Sequence, residues 1–264
     1  MAFRLLATDL DGTLLRSDGT VSARTIAAVD AAESAGIGLV IVTGRPPRWI
    51  PPIIEQLGDR GLVVCANGGI VYDPARHEII ERNDIPAEAA AEAVRRLRSE
   101  IPELTFGCEL GMDFAVEPAF APHAQTLDEV AYAPIEDVCT QPVTKLLVRH
   151  PRPAPEGLAK RVRSIVDGLA GVTHSMDESF LELSRPDVHK ASTLERLVAK
   201  SGIAAPDVVA FGDMPNDIEM ITWAGLGVAV SNAHPLVVEV ADEVTESNDD
   251  DGVALVVERM LSSL

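Results

Sequence analysis

Short apolar runs alternate with longer amphipathic stretches at both ends of the chain. Runs that are bounded by turn-forming residues, as in the buried strands of a parallel sheet, occur at residues 3–7, 38–43, 62–66 and 208–211. Helical periodicity separates these runs, and one helix is predicted to begin after Ser22, a favourable N-cap, and to end before Gly36. A strand, a helix and a parallel strand in this order form a right-handed βαβ unit. The pattern therefore predicts an α/β fold with a Rossmann-like parallel-sheet core.

The middle of the chain follows a different pattern. Helices and strands mix in this region without regular alternation, and they are predicted at residues 86–98 (helix), 103–116 (strands), 143–148 (strand), 155–169 (helix) and 180–183 (strand). The proline-rich residues 118–134 fit neither pattern. We therefore expect an inserted α+β domain at residues 82–185, and a core that residues 1–81 and 186–264 form together.

Composition and charge narrow the range of partners. The 264 residues include 22 basic and 41 acidic side chains, so the formal net charge is −19. Nucleic acids and anionic membranes repel a chain this acidic, and we expect neither as a partner. No apolar stretch reaches the ~18 residues of a membrane span, and no leader peptide opens the chain. We therefore expect a soluble cytoplasmic protein that is a monomer or a weak homodimer.

Polar residues follow three of the predicted strands at the point where each strand ends. They are Asp9 and Asp11 after the first strand, Thr43, Gly44 and Arg45 after the second, and Asp213, Asn216 and Asp217 after the strand at residues 208–211. In open α/β sheets, ligands bind beyond the carboxyl ends of the strands, where such loops converge. We therefore expect these residues to form one site.

The residue types in this set are those of a phosphoryl-transfer site. Four aspartates in one crevice repel one another unless a cation is present, and oxygen ligands favour Mg²⁺ over zinc. The hydroxyl group of Thr43, the N–H groups of the turns and the ammonium group of Lys190 supply donors for an anionic phosphoryl group. The sequence therefore predicts a Mg²⁺ site beside which one aspartate attacks phosphorus. Two simpler interpretations remain open: an exposed Lys190 at the start of a helix, and an Arg45 that pairs with a nearby acid.

The same residues resemble the four motifs of the haloacid dehalogenase-like (HAD) hydrolases. The matches are Asp9-Leu10-Asp11-Gly12-Thr13 to the first motif, DxDGT, Thr43 to the hydroxyl residue of the second, Lys190 to the lysine of the third, and Gly212-Asp213-x-x-Asn216-Asp217 to the fourth. The insertion between the second and third motifs is similar to the α/β cap of the type IIB, Cof-like branch, and so is the pair Asn67-Gly68. The chain departs from the pattern at Ala191, where glycine often follows the lysine. The resemblance implies a HAD-like catalytic core with an inserted cap domain that selects the substrate.

The resemblance also implies a role for each matching residue. Asp9 is the expected nucleophile, which forms an aspartyl-phosphate intermediate, and Asp11 is the expected acid and base, which protonates the leaving alcohol and then activates water. The Mg²⁺ ligands are expected to come from Asp9, Asp11 (through its backbone carbonyl), Asp213 and Asp217. The phosphoryl oxygens are expected to contact Thr43, Gly44, Arg45, Lys190 and Asn216, with Asn67 nearby.

The expected activity is that of a Mg²⁺-dependent phosphatase. Its substrates would be small phosphomonoesters such as sugar phosphates or pyridoxal phosphate. A phosphomutase or phosphotransferase of the same superfamily is an alternative, although the cap shows no clear arginine cluster for a second phosphate. A non-catalytic sensor of phosphorylated ligands is a further alternative, but such a protein would be expected to lack an acid of the first motif, and none is missing.

Overall fold

The chain divides into two compact units. The computed structural model describes residues 3–120, 130–151, 155–174 and 179–263. The first unit comprises Met1–Arg45, Trp49–Ile80 and His189–Leu264, and the second comprises Pro46–Arg48 and Glu81–Val188. The limits inferred from the sequence for the inserted domain are 82 and 185, and those of the main segment of the second unit are 81 and 188. The role of the second unit in substrate selection stays a prediction.

Strands and helices are each labelled by their place in the chain. The strands are β1 (Leu5–Thr8), β2 (Gly38–Val42), β3 (Val63–Cys65), β4 (Ile70–Asp73), β5 (Glu78–Arg82), β6 (Thr105–Leu110), β7 (Asp113–Val116), β8 (Ala131–Tyr132), β9 (Lys145–Arg149), β10 (Gly171–Thr173), β11 (Phe180–Ser184), β12 (Val208–Gly212), β13 (Leu226–Val230) and β14 (Glu243–Thr245). The helices are α1 (Ala23–Ser34), α2 (Pro51–Leu57), α3 (Ala87–Glu100), α4 (Ile135–Val138), α5 (Leu158–Ile165), α6 (Lys190–Ala199), α7 (Ile218–Trp223), α8 (Pro235–Val240) and α9 (Gly252–Leu261).

The first unit is built around a sheet with β1 near its centre. Its strand order is β14-β13-β12-β1-β2-β3-β4-β5, and the strands from β14 to β3 run parallel to their neighbours. Leu5 of β1 pairs with Val208 of β12 on one side and with Gly38 of β2 on the other. Leu6 packs into the core on one face of the sheet, whereas Ala7 packs into the core on the other face. Because both faces are covered, the central strands are apolar throughout, and the predicted parallel α/β core is confirmed.

Side-chain caps mark the starts of α1 and α6 in the first unit. Ser22 caps α1 as predicted, since its hydroxyl oxygen accepts a hydrogen bond from the N–H of Thr25 at 3.0 Å. His189 caps α6, since its Nδ1 atom accepts a hydrogen bond from the N–H of Ser192 at 3.3 Å. Lys190 is therefore the first residue of α6.

Throughout the described parts of the chain, no helix has both the length and the apolar character that a membrane span requires.

The second unit is a mixed sheet with helices packed against one face. The strand order is β10-β11-β9-β6-β7-β8, antiparallel except for the parallel pair β7 and β8. Side chains of α3 and α5, including Leu97 and Val162, pack on Phe106, Leu146 and Leu181 from the sheet. The short elements β8, β10 and α4 were not anticipated from the sequence. Part of the proline-rich stretch that fits no pattern, residues 121–129, lies outside the described residues.

Candidate active site

A tight turn after β1 separates the two carboxylates of the first motif. β1 ends at Thr8, and residues Leu10–Leu14 form a π-type turn in which Gly12 has φ +75°. β1 therefore ends before both carboxylates, as the sequence predicts. Asp9 is buried, whereas the side chain of Asp11 is 59% exposed. Gly12 is required twice, because φ is positive and because a Cβ atom there would lie 2.5 Å from Oδ2 of Asp213.

Lys190 lies between two buried aspartates. Its Nζ atom donates to Oδ1 of Asp9 at 2.7 Å and to Oδ1 of Asp217 at 2.6 Å. The side chain is only 1% exposed, so the interpretation of Lys190 as a surface residue is wrong. Burial lowers the pKa of Lys190, but the charges of Asp217 and Asp9 outweigh this effect and raise the pKa above its ordinary value. The ammonium group is therefore fully charged at neutral pH.

Asp217 and Asp213 organise the loop after β12. Oδ2 of Asp217 accepts the backbone N–H groups of Asp213 and Met214, both at 3.1 Å. Oδ1 of Asp213 accepts the hydroxyl group of Thr13 at 2.8 Å. Burial, together with the charge of Asp217, raises the pKa of Asp213 to about 6. Burial also raises the pKa of Asp9 well above its ordinary value.

The carboxylates of Asp9, Asp213 and Asp217 have the composition of a site for a hard divalent cation. One ligand atom from each of these residues lies within 4.8 Å of the others, and in the described residues this cluster does not include the side chain of Asp11. Oxygen-only donors suit Mg²⁺. Lys190 brings one positive charge to these three acids, and burial together with the neighbouring carboxylates still raises the pKa values of Asp9 and Asp213. Both oxygens of Asp217 already accept hydrogen bonds, so this residue is suited to orient the cation site.

The loop after β2 brings Thr43 and Arg45 to the same edge of the sheet. Thr43 is buried, and its Oγ1 atom accepts the N–H of Arg45 at 3.1 Å, which leaves the hydroxyl proton for a second partner. Arg45 donates from Nε and Nη2 to the two carboxylate oxygens of Asp11, at 2.7 and 2.5 Å. Arg45 therefore pairs with a nearby carboxylate, as one of the two simpler interpretations proposes. That carboxylate belongs to Asp11, the expected general acid and base.

Two asparagines from different loops form a buried pair beside Gly44. Nδ2 of Asn216 donates to Oδ1 of Asn67 at 3.0 Å, and both side chains are buried. In the part of the chain that is described, Oδ1 of Asn216 has no hydrogen-bond partner. The contacts of Thr13 and Asn67 were missed at the level of sequence, although Thr13 stands inside DxDGT and Asn67 follows a strand directly.

Comparison with known proteins identifies the family. A family model described as haloacid dehalogenase-like hydrolase matches residues 6–257. The pyridoxal phosphate phosphatase YbhA of Escherichia coli is 28% identical over 267 residues, which cover 96% of this chain and 97% of the relative.

Solved structures agree with the family match. A haloacid dehalogenase-like hydrolase from Bacteroides thetaiotaomicron is 30% identical, with a TM-score of 0.79 and coverage of 98% of this chain and 99% of that one. The sugar phosphatase BT4131, described as HAD subclass IIB, shares the fold with a TM-score of 0.82 at 21% identity, covering 97% and 98% of the two chains. The family match confirms the expected HAD-like resemblance, and the subclass IIB structure confirms the expected fold. With the motif residues gathered at the carboxyl edge of its sheet, the chain belongs to the haloacid dehalogenase-like hydrolases.

Proposed function

We propose that the protein is a Mg²⁺-dependent phosphatase that hydrolyses small phosphomonoesters through an aspartyl-phosphate intermediate. The observation that supports this most directly is the ammonium group of Lys190 between Asp9 and Asp217, with Asp213 beside them. Such a cluster offers one carboxylate for nucleophilic attack, and its other carboxylates can hold positive charge beside that group. Phosphoryl transfer needs both, because the transferred group is anionic and passes through a transition state with charge on its equatorial oxygens.

The two aspartates of the first motif have different environments, which suit different roles. Asp9 is buried and held by Lys190, so its carboxylate is positioned to attack phosphorus, while the bond from phosphorus to the leaving oxygen breaks. Asp11 is more exposed, so it can give a proton to the leaving alcohol. It then takes a proton from the water that attacks the aspartyl phosphate. Arg45 holds the Asp11 carboxylate at both oxygens, so this ion pair must open before Asp11 carries a proton to the leaving group.

The remaining polar groups would hold the cation and the phosphoryl oxygens. Mg²⁺ would be held by Asp9, Asp213 and the backbone carbonyl of Asp11, with Asp217 orienting the loop, and when bound it supplies positive charge to the phosphoryl group. The phosphoryl oxygens would accept hydrogen bonds from Thr43, Gly44, Arg45, Lys190 and Asn216.

We further propose that the second unit selects the leaving group. Its sheet contains buried charged residues, among them Glu109 on β6, Lys145 on β9 and Glu182 on β11. Nζ of Lys145 donates to Oε1 of Glu182 at 2.6 Å. Buried ion pairs contribute little net stability, and we therefore assign this one a role in substrate selection. By analogy with the pyridoxal phosphate phosphatase, and by the family resemblance to sugar phosphatases, the substrates are small and polar. The protein would act in the cytoplasm as a monomer or weak homodimer.

Release of phosphate from a panel of phosphorylated metabolites tests the activity. The panel should contain sugar phosphates, pyridoxal phosphate and p-nitrophenyl phosphate, each assayed with Mg²⁺ and with EDTA. Asp9→Asn should abolish release, whereas Asp18→Asn, an exposed aspartate that accepts the hydroxyl group of Thr20, should leave it unchanged. No release from any compound in the presence of Mg²⁺ would refute the proposal. Formation of an isomerised sugar phosphate would instead support the phosphomutase alternative, and binding without turnover would support the sensor.

A further inference from the structure

The loop after β3 contacts the three loops that carry the proposed phosphate-binding residues. This segment, Ala66–Gly68, is called the Asn67 loop. Two successive residues other than glycine adopt left-handed backbone conformations, Ala66 at φ +53° and Asn67 at φ +56°. Such conformations cost free energy for residues with a Cβ atom and persist only where neighbouring contacts hold them, although asparagine tolerates them better than most.

Backbone hydrogen bonds attach the Asn67 loop to the loop after β2. The N–H of Ala66 donates to the carbonyl of Arg45 at 2.9 Å, and the N–H of Asn67 donates to the carbonyl of Thr43 at 3.0 Å. A Cβ atom on Gly44 would lie 3.1 Å from Oδ1 of Asn67, so the two loops are closely packed there. The direction of Thr43 and Arg45 therefore depends on the Asn67 loop.

The same loop packs against the start of α6. The hydroxyl group of Thr193 donates to the carbonyl of Gly68 at 2.9 Å. A Cβ atom on Gly68 would lie 2.6 Å from the carbonyl oxygen of His189, the residue before Lys190. No residue other than glycine fits at this position, where φ is also +100°.

The side chain of Asn67 makes the third connection, to the loop after β12. Its Oδ1 atom accepts one N–H of the Asn216 amide, which fixes the plane of that amide. The second N–H of Nδ2 and the unpartnered Oδ1 of Asn216 therefore have defined directions. An unpaired buried acceptor costs free energy, and a bound ligand or its water can satisfy it.

We propose that Asn67 is a positioning residue for phosphate binding, which acts by fixing the amide of Asn216. This inference rests on the proposed function of the site and extends it to a residue outside the four motifs. Asn67 need not touch the phosphoryl group. It contacts Asn216 through its side chain, and Thr43 through its backbone.

Substitution by glycine separates the effect of losing the Asn67 side chain from the effect of straining the backbone. Asn67→Ala removes the acceptor and strains the left-handed backbone, whereas Asn67→Gly removes the acceptor but tolerates that backbone. If Asn67 only maintains the loop, Asn67→Gly should match the wild type in both melting temperature and phosphate binding, and only Asn67→Ala should fall below it. If Asn67 positions Asn216, Asn67→Gly should keep the melting temperature near that of the wild type. Its Km for p-nitrophenyl phosphate and its dissociation constant for inorganic phosphate should each rise by about tenfold, with a smaller change in kcat.

Two further variants complete the test. His77→Gly changes another left-handed residue, at φ +54° in the turn between β4 and β5, and should leave the Km unchanged. Asn216→Ala should weaken phosphate binding about as much as Asn67→Gly, and the double variant should be no weaker than Asn216→Ala alone, because both changes remove the same interaction. Wild-type phosphate binding in Asn67→Gly, or full additivity in the double variant, would overturn the inference.

Calorimetric titration with inorganic phosphate, in Mg²⁺-containing buffer, keeps this test separate from that of the proposed function. If the wild type shows no turnover but binds phosphate more tightly than Asn67→Gly, the inference stands and the phosphatase proposal fails. If the wild type turns over substrate and Asn67→Gly behaves identically, the phosphatase proposal stands and the inference fails.

Discussion

Asp213→Asn is expected to stabilise the metal-free protein while it abolishes the proposed metal site. Asp213 is 7% exposed, and burial with the nearby charge of Asp217 raises its pKa from 3.8 to about 6. A rise of this size corresponds to about 3 kcal/mol of unfavourable free energy when the carboxylate is ionised in the folded protein. Asparagine has nearly the same shape, and its Oδ1 atom can still accept the hydroxyl group of Thr13.

The pH dependence follows from the direction of the pKa shift. Because the pKa of Asp213 is higher in the folded than in the unfolded chain, the folded chain holds the proton more tightly. The stability that protonation contributes is fully present below about pH 3.8 and is lost as the pH rises through about 6. The advantage of Asp213→Asn should therefore be absent near pH 4, grow between pH 4 and 6, and reach its full size above pH 7.

Thermal unfolding in EDTA between pH 4 and 8 measures this difference. About 3 kcal/mol corresponds to a rise in Tm of roughly 5–10 °C for a protein of this size. Mg²⁺ should raise the Tm of the wild type and have little effect on Asp213→Asn. Asp18→Asn is the control, since hydrogen bonds from Thr20 lower the pKa of Asp18, and its Tm should not rise. A variant no more stable than the wild type at pH 8, or an advantage equally large at pH 4, would refute the reasoning.

Three further changes test the site. Asp9→Asn should lower turnover by about 10⁴-fold or more and remove the phosphoenzyme detected after acid quenching with ³²P-labelled substrate; retained phosphoenzyme would exclude Asp9 as the nucleophile. Lys190→Met should destabilise the protein by about 3–5 kcal/mol in urea unfolding at pH 8, because it leaves buried carboxylates without their cation, and an unchanged midpoint would contradict this. Gly12→Ala should lose activity and lower the Tm, because the added Cβ would lie against Asp213. Gly19→Ala, at φ +81° and with no atom of the described residues within 4 Å of the added Cβ, should cost only about 1–2 kcal/mol and keep its activity. Equal effects would show that the close approach to Asp213 is unimportant.

The sequence was sufficient to predict the positions of the central strands and of the loops that follow them. An apolar run that is buried on both faces of a sheet can form few other structures, so β1, β2 and β12 lie where they are predicted. Parallel strands bring their carboxyl ends to one edge, and that geometry gathers Asp9 and Asp213 from positions far apart in the chain.

The details that escaped prediction depend on contacts between distant residues or on weak local signals. The N-cap of α6 gives only a weak signal in the sequence, because histidine is uncommon at this position. The two-residue strand β8 is too short to show a periodic pattern. The bond between Asn67 and Asn216 joins residues 149 apart in sequence, and no local pattern reports such a contact.

The pairing of β1 with β12 determines how late in synthesis the central sheet can be completed. Leu5 pairs with Val208, so β1 has β2 on one side and an empty edge on the other until some 200 further residues have been synthesised. At ~5–20 residues per second this interval lasts roughly 10–40 s. The chain of the second unit leaves the ribosome during that time and can fold while the central sheet still has an unpaired edge, which is a hazard for aggregation. Asp9 precedes this interval in the chain and Lys190 and Asp213 follow most of it, so a partly synthesised chain lacks the proposed site.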